Sequence, residues 1–541
     1  MAPLGRHLAA ALLGLSLAGC GSTVQVGSSG TAGVQGLGAT GGIDGGGGLG
    51  SPGNGTGTGT AGGGTGATSG TLGTAGSGST GGSGGAGGSV GSGGSAGATG
   101  NGGAGNGSGP APGVTGRGGT GLGVTATTIT VGASITSNGD AANAAIGASG
   151  ITKGDERGNI NALVAEINAH GGVAGRRLVV VIHPYDAQST QPGSTQDAAA
   201  CADFTQDHKV VAVFSTGLTE AFAQCLKKEG VVQFSAGALV GMDKAFLRTY
   251  PDDFQLGTMT QERILTDTVG ALTRQKYFTG WNTLTGQPAA GAAKLAVLSY
   301  DGPSFQNAVK GSLLPALSAA GHPVSSGDVF FVHQPQSQSD VSGLVAGIKS
   351  ATLRMQQDGV THLVFNDNNG LLLGIFSTNA QSQQYFPRFG VTSGAGPQAI
   401  YDSGLVKANQ LNGLAGNGWL PTIDLPAADG SKLATSATAR CLEIMKRRTG
   451  QTYTSTNAAS IALIDCDSFF LFAEAMAKAP SLSPAGLVSG MEALGGSYTS
   501  ALLPASYLSA QQHDNGVRAF DLNWVASCNC VRYTSPRSVP S

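Results

Sequence analysis

The sequence is poor in charge and in aromatic rings. Only 11% of its 541 residues are Asp, Glu, Lys or Arg, and the formal net charge is −2. A balance so small leaves no basic footprint for a phosphate backbone, which excludes a nucleic-acid partner. Proline is scarce beside 92 glycines that follow no three-residue period, which excludes a collagen helix. The eight histidines are scattered, with no His-x-x-x-His or Cys-x-x-Cys pair and no Gly-Lys-Ser/Thr phosphate loop. Metal and nucleotide cofactors therefore have no ligand pattern, and no cofactor is expected. The shortage of rings and charge is most severe in residues 21–120. That stretch holds 45 glycines, no Phe, Trp or Tyr, and two charged residues, Asp44 and Arg117. With almost nothing to bury, it cannot offset the conformational entropy of folding, and it reads as a disordered Gly/Ser/Thr tether. Gly-x-Ser-x-Gly matches, among them those at Ser83 and Ser95, fall inside it without a strand before or a helix after, so they carry no hydrolase chemistry.

What is present begins with an apolar run from Leu8 to Leu17 behind Arg6 and His7. It is about half the length of a membrane span and reads as the core of an export signal. Leu17-Ala18-Gly19-Cys20 resembles a bacterial lipobox, which makes 1–20 a lipoprotein signal peptide and Cys20 the lipidated residue. The expected location is extracytoplasmic, lipid-anchored to the cell membrane. About 100 flexible residues would then give the anchored protein a reach of roughly 55 Å. Six cysteines remain: Cys201, Cys225, Cys441, Cys466, Cys528 and Cys530. An even number in an exported chain predicts disulfides, with fifteen pairings open. Cys201 and Cys225 fall on consecutive predicted helices, as do Cys441 and Cys466. Cys528-Asn529-Cys530 could close only a very small ring, of the kind that can be redox-active.

From Thr128 onward, strand and helix patterns alternate. The apolar and β-branched runs predict strands at 128–133, 177–183, 210–214, 231–234, 294–299, 324–332, 361–365 and 389–391. Periodic segments between them predict helices at 155–169, 194–207, 219–228, 262–273, 304–320, 341–357 and 370–379. Gly171-Gly172 stops the first helix. Alternation of this length gives an α/β fold with parallel sheets covered by helices, in two consecutive sets. Ligands of such sheets bind at the carboxyl ends of the strands, so the loops there are the place to search.

Gly123-Val124-Thr125 through Ile129-Thr130-Val131-Gly132 resembles the opening of the branched-chain amino-acid-binding family of type I periplasmic binding proteins. Glu166-Ile167-Asn168-Ala169-His170-Gly171-Gly172-Val173-Ala174-Gly175-Arg176-Arg177-Leu178 resembles that family's helix, glycine turn and second strand. Tyr185-Asp186 stands where the family has an acidic strand end. The resemblance covers roughly 121–541. It implies two Rossmann-like lobes joined by a three-segment hinge, with 121–258 and 421–500 in lobe one and 259–420 and 501–541 in lobe two. It implies capture of a small polar solute, amino acid or amide-like, between the lobes and its delivery to an ABC permease, with no enzyme activity.

Matching the family's contact loops places ligand contacts at Ser215, Thr216, Gly217 and Thr219, where hydroxyls and the backbone N–H groups of a helix start suit a carboxylate. Ser235, Ala236 and Ala238 follow the next strand and allow close backbone approach. The second lobe contributes Tyr300, Asp301, Asn366, Asp367, Asn368 and Thr392. The family commonly places a carboxylate in this lobe for an ammonium group. No acid stands at Thr392-Ser393, so Asp367 or Asp301 is expected to substitute, and polar amides, sugars and other small solutes stay open beside amino acids. Both Ser215 and Asp367 are expected at the cleft rather than in a core. Two other readings stand beside transport: a ligand-sensing ectodomain that signals to a membrane partner, and a thiol–disulfide protein using Cys528 and Cys530.

Overall fold

The first strand, β1 (Thr128–Ser137), pairs along its whole length with β2 (Arg177–Asp186). The helix between them, Glu156–Ala169, is capped by Asp155, whose carboxylate accepts the Gly158 N–H at 2.8 Å. It buries Ile160, Leu163 and Ile167 on one face. Its exit explains the Asn-x-x-Gly-Gly block. Asn168 accepts the Leu178 N–H at 2.7 Å and donates to the Leu178 carbonyl at 2.9 Å, so one amide fastens helix to strand. Gly172 sits at φ +75°, and a Cβ there would lie 1.9 Å from the Arg176 carbonyl oxygen. Only glycine fits that turn. This computed structural model describes residues 120–145, 147, 154–215, 219–236, 242–453 and 459–540. The signal segment with Cys20, the tether through residue 119, and Thr216, Gly217 and Ala238 lie outside the described residues.

Three further strands, β3 (Ala212–Ser215), β4 (Val232–Ala236) and β5 (Asp253–Leu256), complete a parallel sheet of order β2-β1-β3-β4-β5. Every residue of β3, β4 and β5 is buried. Strands covered on both faces need side chains that helices can pack on. Here the cover comes partly from far along the chain: Phe214 packs on Phe469 and Phe472 of the helix Ser460–Lys478, with ring centroids 4.6 and 5.6 Å apart.

A small exposed hairpin, β6 (Thr279–Asn282) with β7 (Gln287–Ala292), precedes the second sheet. That sheet has the order β14-β13-β12-β11-β10-β8-β9. Its parallel part is β8 (Leu295–Tyr300), β9 (Val329–Val332), β10 (His362–Asn366), β11 (Arg388–Thr392) and β12 (Ala415–Gly418). The last strands, β13 (Arg518–Val525) and β14 (Cys530–Ser538), add to it antiparallel. The chain thus serves the first sheet, then the second, returns to the first with its late helices, and ends on the second.

The crossings lie side by side. Trp419 donates its indole N–H to the Gly257 carbonyl at 3.0 Å, and the Gly516 N–H reaches the Thr258 carbonyl at 2.8 Å. Arg263, 6% exposed, clamps the same place: it pairs with Asp514 at 2.6 Å and donates to the carbonyls of Gly516, Val539 and Pro540. This is the two-lobed α/β architecture with a three-segment hinge.

The details depart from the sequence reading in five places. The stretch after β4, read as a loop, contains the helix Lys244–Thr249 and β5. The hairpin and the C-terminal strand pair were not anticipated. The strand expected over 324–332 shortens to β9, because Ser326–Asp328 form a 3₁₀ turn. The helix expected over 304–320 runs from Pro303 to Ala319 but widens into a π-turn at Val309–Leu313, just before Pro315. Proline has no N–H to continue the ladder, and the wider turn absorbs the loss.

The six cysteines form three bridges, Cys201–Cys225, Cys441–Cys466 and Cys528–Cys530. The first two join consecutive helices. The third closes the turn between β13 and β14.

Candidate functional site

Strand ends of both sheets meet at a cleft beside the crossings, enclosing about 110 Å³. For scale, a cavity of about 150 Å³ admits benzene. Ala236 at the end of β4 and Gln255 and Leu256 at the end of β5 form one wall. Asn366 to Asn369 at the end of β10, and Thr392 to Gly394 at the end of β11, form the opposite wall. The crossings supply the floor, with Thr258, Met259, Trp419 and Leu420. Of the expected contact residues, Ala236, Asn366, Asp367, Asn368 and Thr392 are therefore brought together here.

The others go elsewhere. Ser215 lines a small separate cavity with Glu156, Asp465 and Ser468, and its hydroxyl accepts the Gln233 amide at 3.0 Å. Ile464 lines both cavities, so the two lie back to back. Thr219 and Asp301 line a third opening of about 360 Å³ with Tyr185, His333 and Gln336. Thr219 does not present its hydroxyl as an N-terminal anion donor: the hydroxyl donates to Asp197. Hydrogen bonds also join the lobes outside the crossings' own network. The Gly193 N–H donates to the Gln336 carbonyl at 2.9 Å, and the Asn307 amide donates to Asp243 at 3.1 Å.

Ser235 and Tyr300 are buried supports. Ser235 donates to the Asp253 carboxylate at 3.1 Å. Tyr300, 1% exposed, donates to the Asn369 amide oxygen at 2.8 Å and packs against Phe305. Asp367 corrects an expectation. It is 4% exposed, and its two oxygens accept the backbone N–H groups of Asn369, Gly370 and Leu373 at 3.1, 2.9 and 3.0 Å. Its carboxylate is spent on the start of the helix Leu371–Ser382. Gly370, at φ +78°, turns the chain tightly enough for that capping. Burial pushes the Asp367 carboxyl up to about 6 against the pull of those N–H groups.

Two more buried carboxyls support the cleft walls. Asp253 accepts from Ser235 and from the Gln255 amide, and burial pushes it up to about 7. Asp424 accepts from Ser393 and Tyr533, and burial again pushes it up to about 7. The Ser393 oxygen also accepts the Trp419 N–H at 2.8 Å, which ties the end of β11 to a crossing.

Sequence reasoning missed Gln255, Gln261, Thr258, Met259 and Trp419 as cleft residues. The signal for the first was Phe254-Gln255-Leu256, an alternation that fits a strand, but Pro251-Asp252-Asp253 ahead of it reads as a turn. Trp419 had no local signal, because its role depends on where three distant crossings meet.

The periplasmic binding protein family matches residues 128–523. No curated protein sequence matches the chain. Several solved structures share the architecture at low identity. One is a possible leucine/isoleucine/valine-binding protein from Rhodopirellula baltica SH 1, with 14% identity, covering 77% of this chain and 98% of its own, at a TM-score of 0.51. Another is an ABC-transporter solute-binding protein from R. palustris in complex with 4-hydroxybenzoate, with 13% identity, 76% and 98% coverage, and a TM-score of 0.53. An ABC-transporter substrate-binding protein from Desulfitobacterium hafniense in complex with Leu has 16% identity, 75% and 99% coverage, and a TM-score of 0.50.

Proposed function

The chain belongs to the type I periplasmic binding proteins of the branched-chain amino-acid family, and we propose that it is a lipid-anchored substrate-binding protein. The family is extracytoplasmic and acts by binding. On our reading, the cleft captures a small polar solute between lobe one (121–258 and 421–500) and lobe two (259–420 and 501–541), and an ABC permease receives it. The observation that carries this reading is the cleft itself: strand ends of two separate sheets face each other beside a three-segment crossing. A ligand held by both walls is desolvated on closure and released when the hinge opens. The relatives described above were solved with Leu and with 4-hydroxybenzoate, which puts both an amino acid and a single-ring acid within the range of solutes to test. Cys20 is the anchor on this reading, and 21–120 is the tether. Among the described residues no helix is long and apolar enough to cross a membrane.

The test is mass spectrometry of the small molecule released when the purified protein is unfolded. A stoichiometric solute is expected, and its addition back should shrink the radius measured by X-ray scattering. Cys20→Ala should move the protein out of the membrane fraction. An unchanged membrane fraction removes the anchor from the reading, and an unchanged radius removes the closure.

A further inference from the structure

The end of the cleft formed by β5 and the helix Gln261–Arg274 carries two unused hydrogen-bond acceptors. Gln255 is 1% exposed and Gln261 is 7% exposed, and both line the cleft. The side-chain carbonyl oxygen of each is buried and has no hydrogen-bond partner. Buried acceptors are ordinarily paired, so two orphans on one cavity wall call for an occupant that donates. The orientation of Gln255 is fixed from behind. Its amide NH₂ donates to Asp253, an acceptor also held by Ser235, and this leaves the carbonyl oxygen as the free end of the amide. A side-chain amide normally has an ambiguous direction, and here the carboxylate resolves it.

Charge is missing from the same walls. Among the described lining residues the only ionisable side chain is Asp367, whose oxygens already cap a helix. The segments that follow β3 and β4 in the sequence, Thr216-Gly217-Leu218 and Gly237-Ala238-Leu239-Val240-Gly241, contain no charged residue either. The same lining includes the apolar side chains of Met242, Leu256, Ile264 and Trp419. An ammonium placed there would lose its water for neutral acceptors alone, at a large desolvation cost, and a carboxylate would face the acceptors directly. A neutral hydroxyl or amide N–H suffers neither penalty.

Resting on the reading of this cleft as the ligand site, we infer that Gln255 and Gln261 select an uncharged hydrogen-bond donor, a hydroxyl or amide N–H, on a small ligand with an apolar body about one ring in size. Asp253 is a positioning residue for Gln255.

The probes are 4-methylphenol and 1,4-dimethylbenzene, which share a shape and differ by one donor, measured by calorimetry on the full chain at about pH 8. At that pH the Asp253 carboxyl, raised to about 7, is ionised and accepts from Gln255. A site built around a hydroxyl rejects the analogue without it, so a preference on the order of tenfold or more for the phenol is expected. Gln255→Met should collapse that preference. Gln261→Leu should reduce it independently, and it leaves the Asp253 network untouched should the first variant fold poorly. Equal binding of the two probes, a preference that survives in both variants, or failure of both probes to bind overturns the inference. Leucine and 4-hydroxybenzoate are run alongside with X-ray scattering. Closure on either, with no response to the phenol, overturns the donor assignment and leaves the proposed function standing.

Discussion

Single carboxyls around the cleft show how little residue type alone says about use. Asp367 looks like a ligand contact in Asn366-Asp367-Asn368-Asn369, yet it satisfies three backbone N–H groups in the turn and first turn of a helix, those of Asn369, Gly370 and Leu373. Asp367→Ala leaves those donors buried and unpaired, and it should cost about 2 kcal/mol in urea unfolding. A loss of affinity with no loss of stability would return Asp367 to the ligand. The buried carboxyls together make a pH prediction. Burial raises Asp253 and Asp424 to about 7 and Asp197, Asp367 and Asp467 to about 6. A folded-state value above the unfolded one near 3.9 means that the native state keeps protons the unfolded chain has released. Their contribution to stability is therefore whole below about pH 4 and is lost as the pH rises through 6 to 7. Glu166 runs the other way: its hydrogen bond to Arg447 leads the causes that lower its value, so its contribution is lost as the pH falls. Glu262, Glu474 and Asp514 are raised by burial as well, while Glu166 and the buried His362, lowered to about 4, oppose them, so on balance Tm should be higher at about pH 5.5 than at about pH 8.5. Asp253→Asn and Asp424→Asn should each flatten that slope. A Tm that rises with pH over the same range would show that these carboxyls are ionised in the folded state.

At the scale of elements, the late helices hold the first sheet together from far away in sequence. The helix Ser436–Thr449 is tied to Ser460–Lys478 by Cys441–Cys466 and to Glu156–Ala169 by the pairs of Glu166 with Arg447 and Arg448, at 2.6 and 2.8 Å. The bridge spans 25 residues, and on the loop-entropy account its loss should cost about 3 kcal/mol. The paired Cys441→Ala, Cys466→Ala variant measures it. Cys528–Cys530 spans two residues and restrains little of the unfolded chain, so removing it should shift stability far less. Equal losses from the two removals would contradict the loop-length account. Elements with strong periodicity were legible in the sequence. The helix Val341–Gln357 appears with the boundaries its apolar spacing predicts, and Asn168 and Gly172 do the work that their signature suggested. What was not legible depends on partners. β5 hides because Asp253 opens a fully buried strand, tolerable only through Ser235 and Gln255. The hairpin of β6 and β7 hides because β7 is exposed throughout and made of small residues. The cleft was half legible: the strand ends of the second sheet could be found from the alternation, but the crossings that form its floor could not.

On the scale of the whole molecule, hydrogen bonds outside the Arg263 cluster also join the lobes. Two of them are the Gly193 N–H on the Gln336 carbonyl and Asn307 on Asp243, and beside Asp243 the Gln261 N–H reaches the Met242 carbonyl and the Lys244 N–H reaches Glu262. None of these is a large apolar interface, so the free protein has only modest terms favouring closure, and a ligand can decide the balance by touching both walls. The hinge side is different in kind. There Arg263 and Asp514 are buried together with three backbone carbonyls on the same guanidinium, which makes the crossings a rigid pivot. The asymmetry predicts how closure responds to change. A solute at about 100 times its dissociation constant should add roughly 2.7 kcal/mol of apparent stability, because it binds the folded state alone. Asn307→Leu removes one closing bond at a site on neither cleft wall. It should leave the ligand-free Tm nearly unchanged, enlarge the ligand-free radius in scattering, and weaken solute binding severalfold by lowering the closed fraction. Asp243 also accepts the Phe246 N–H at 2.7 Å to cap its own helix, so Asp243→Ala should in addition lower Tm. If Asn307→Leu changes neither radius nor affinity, the bond does not govern closure, and the pivot alone sets the angle between the lobes.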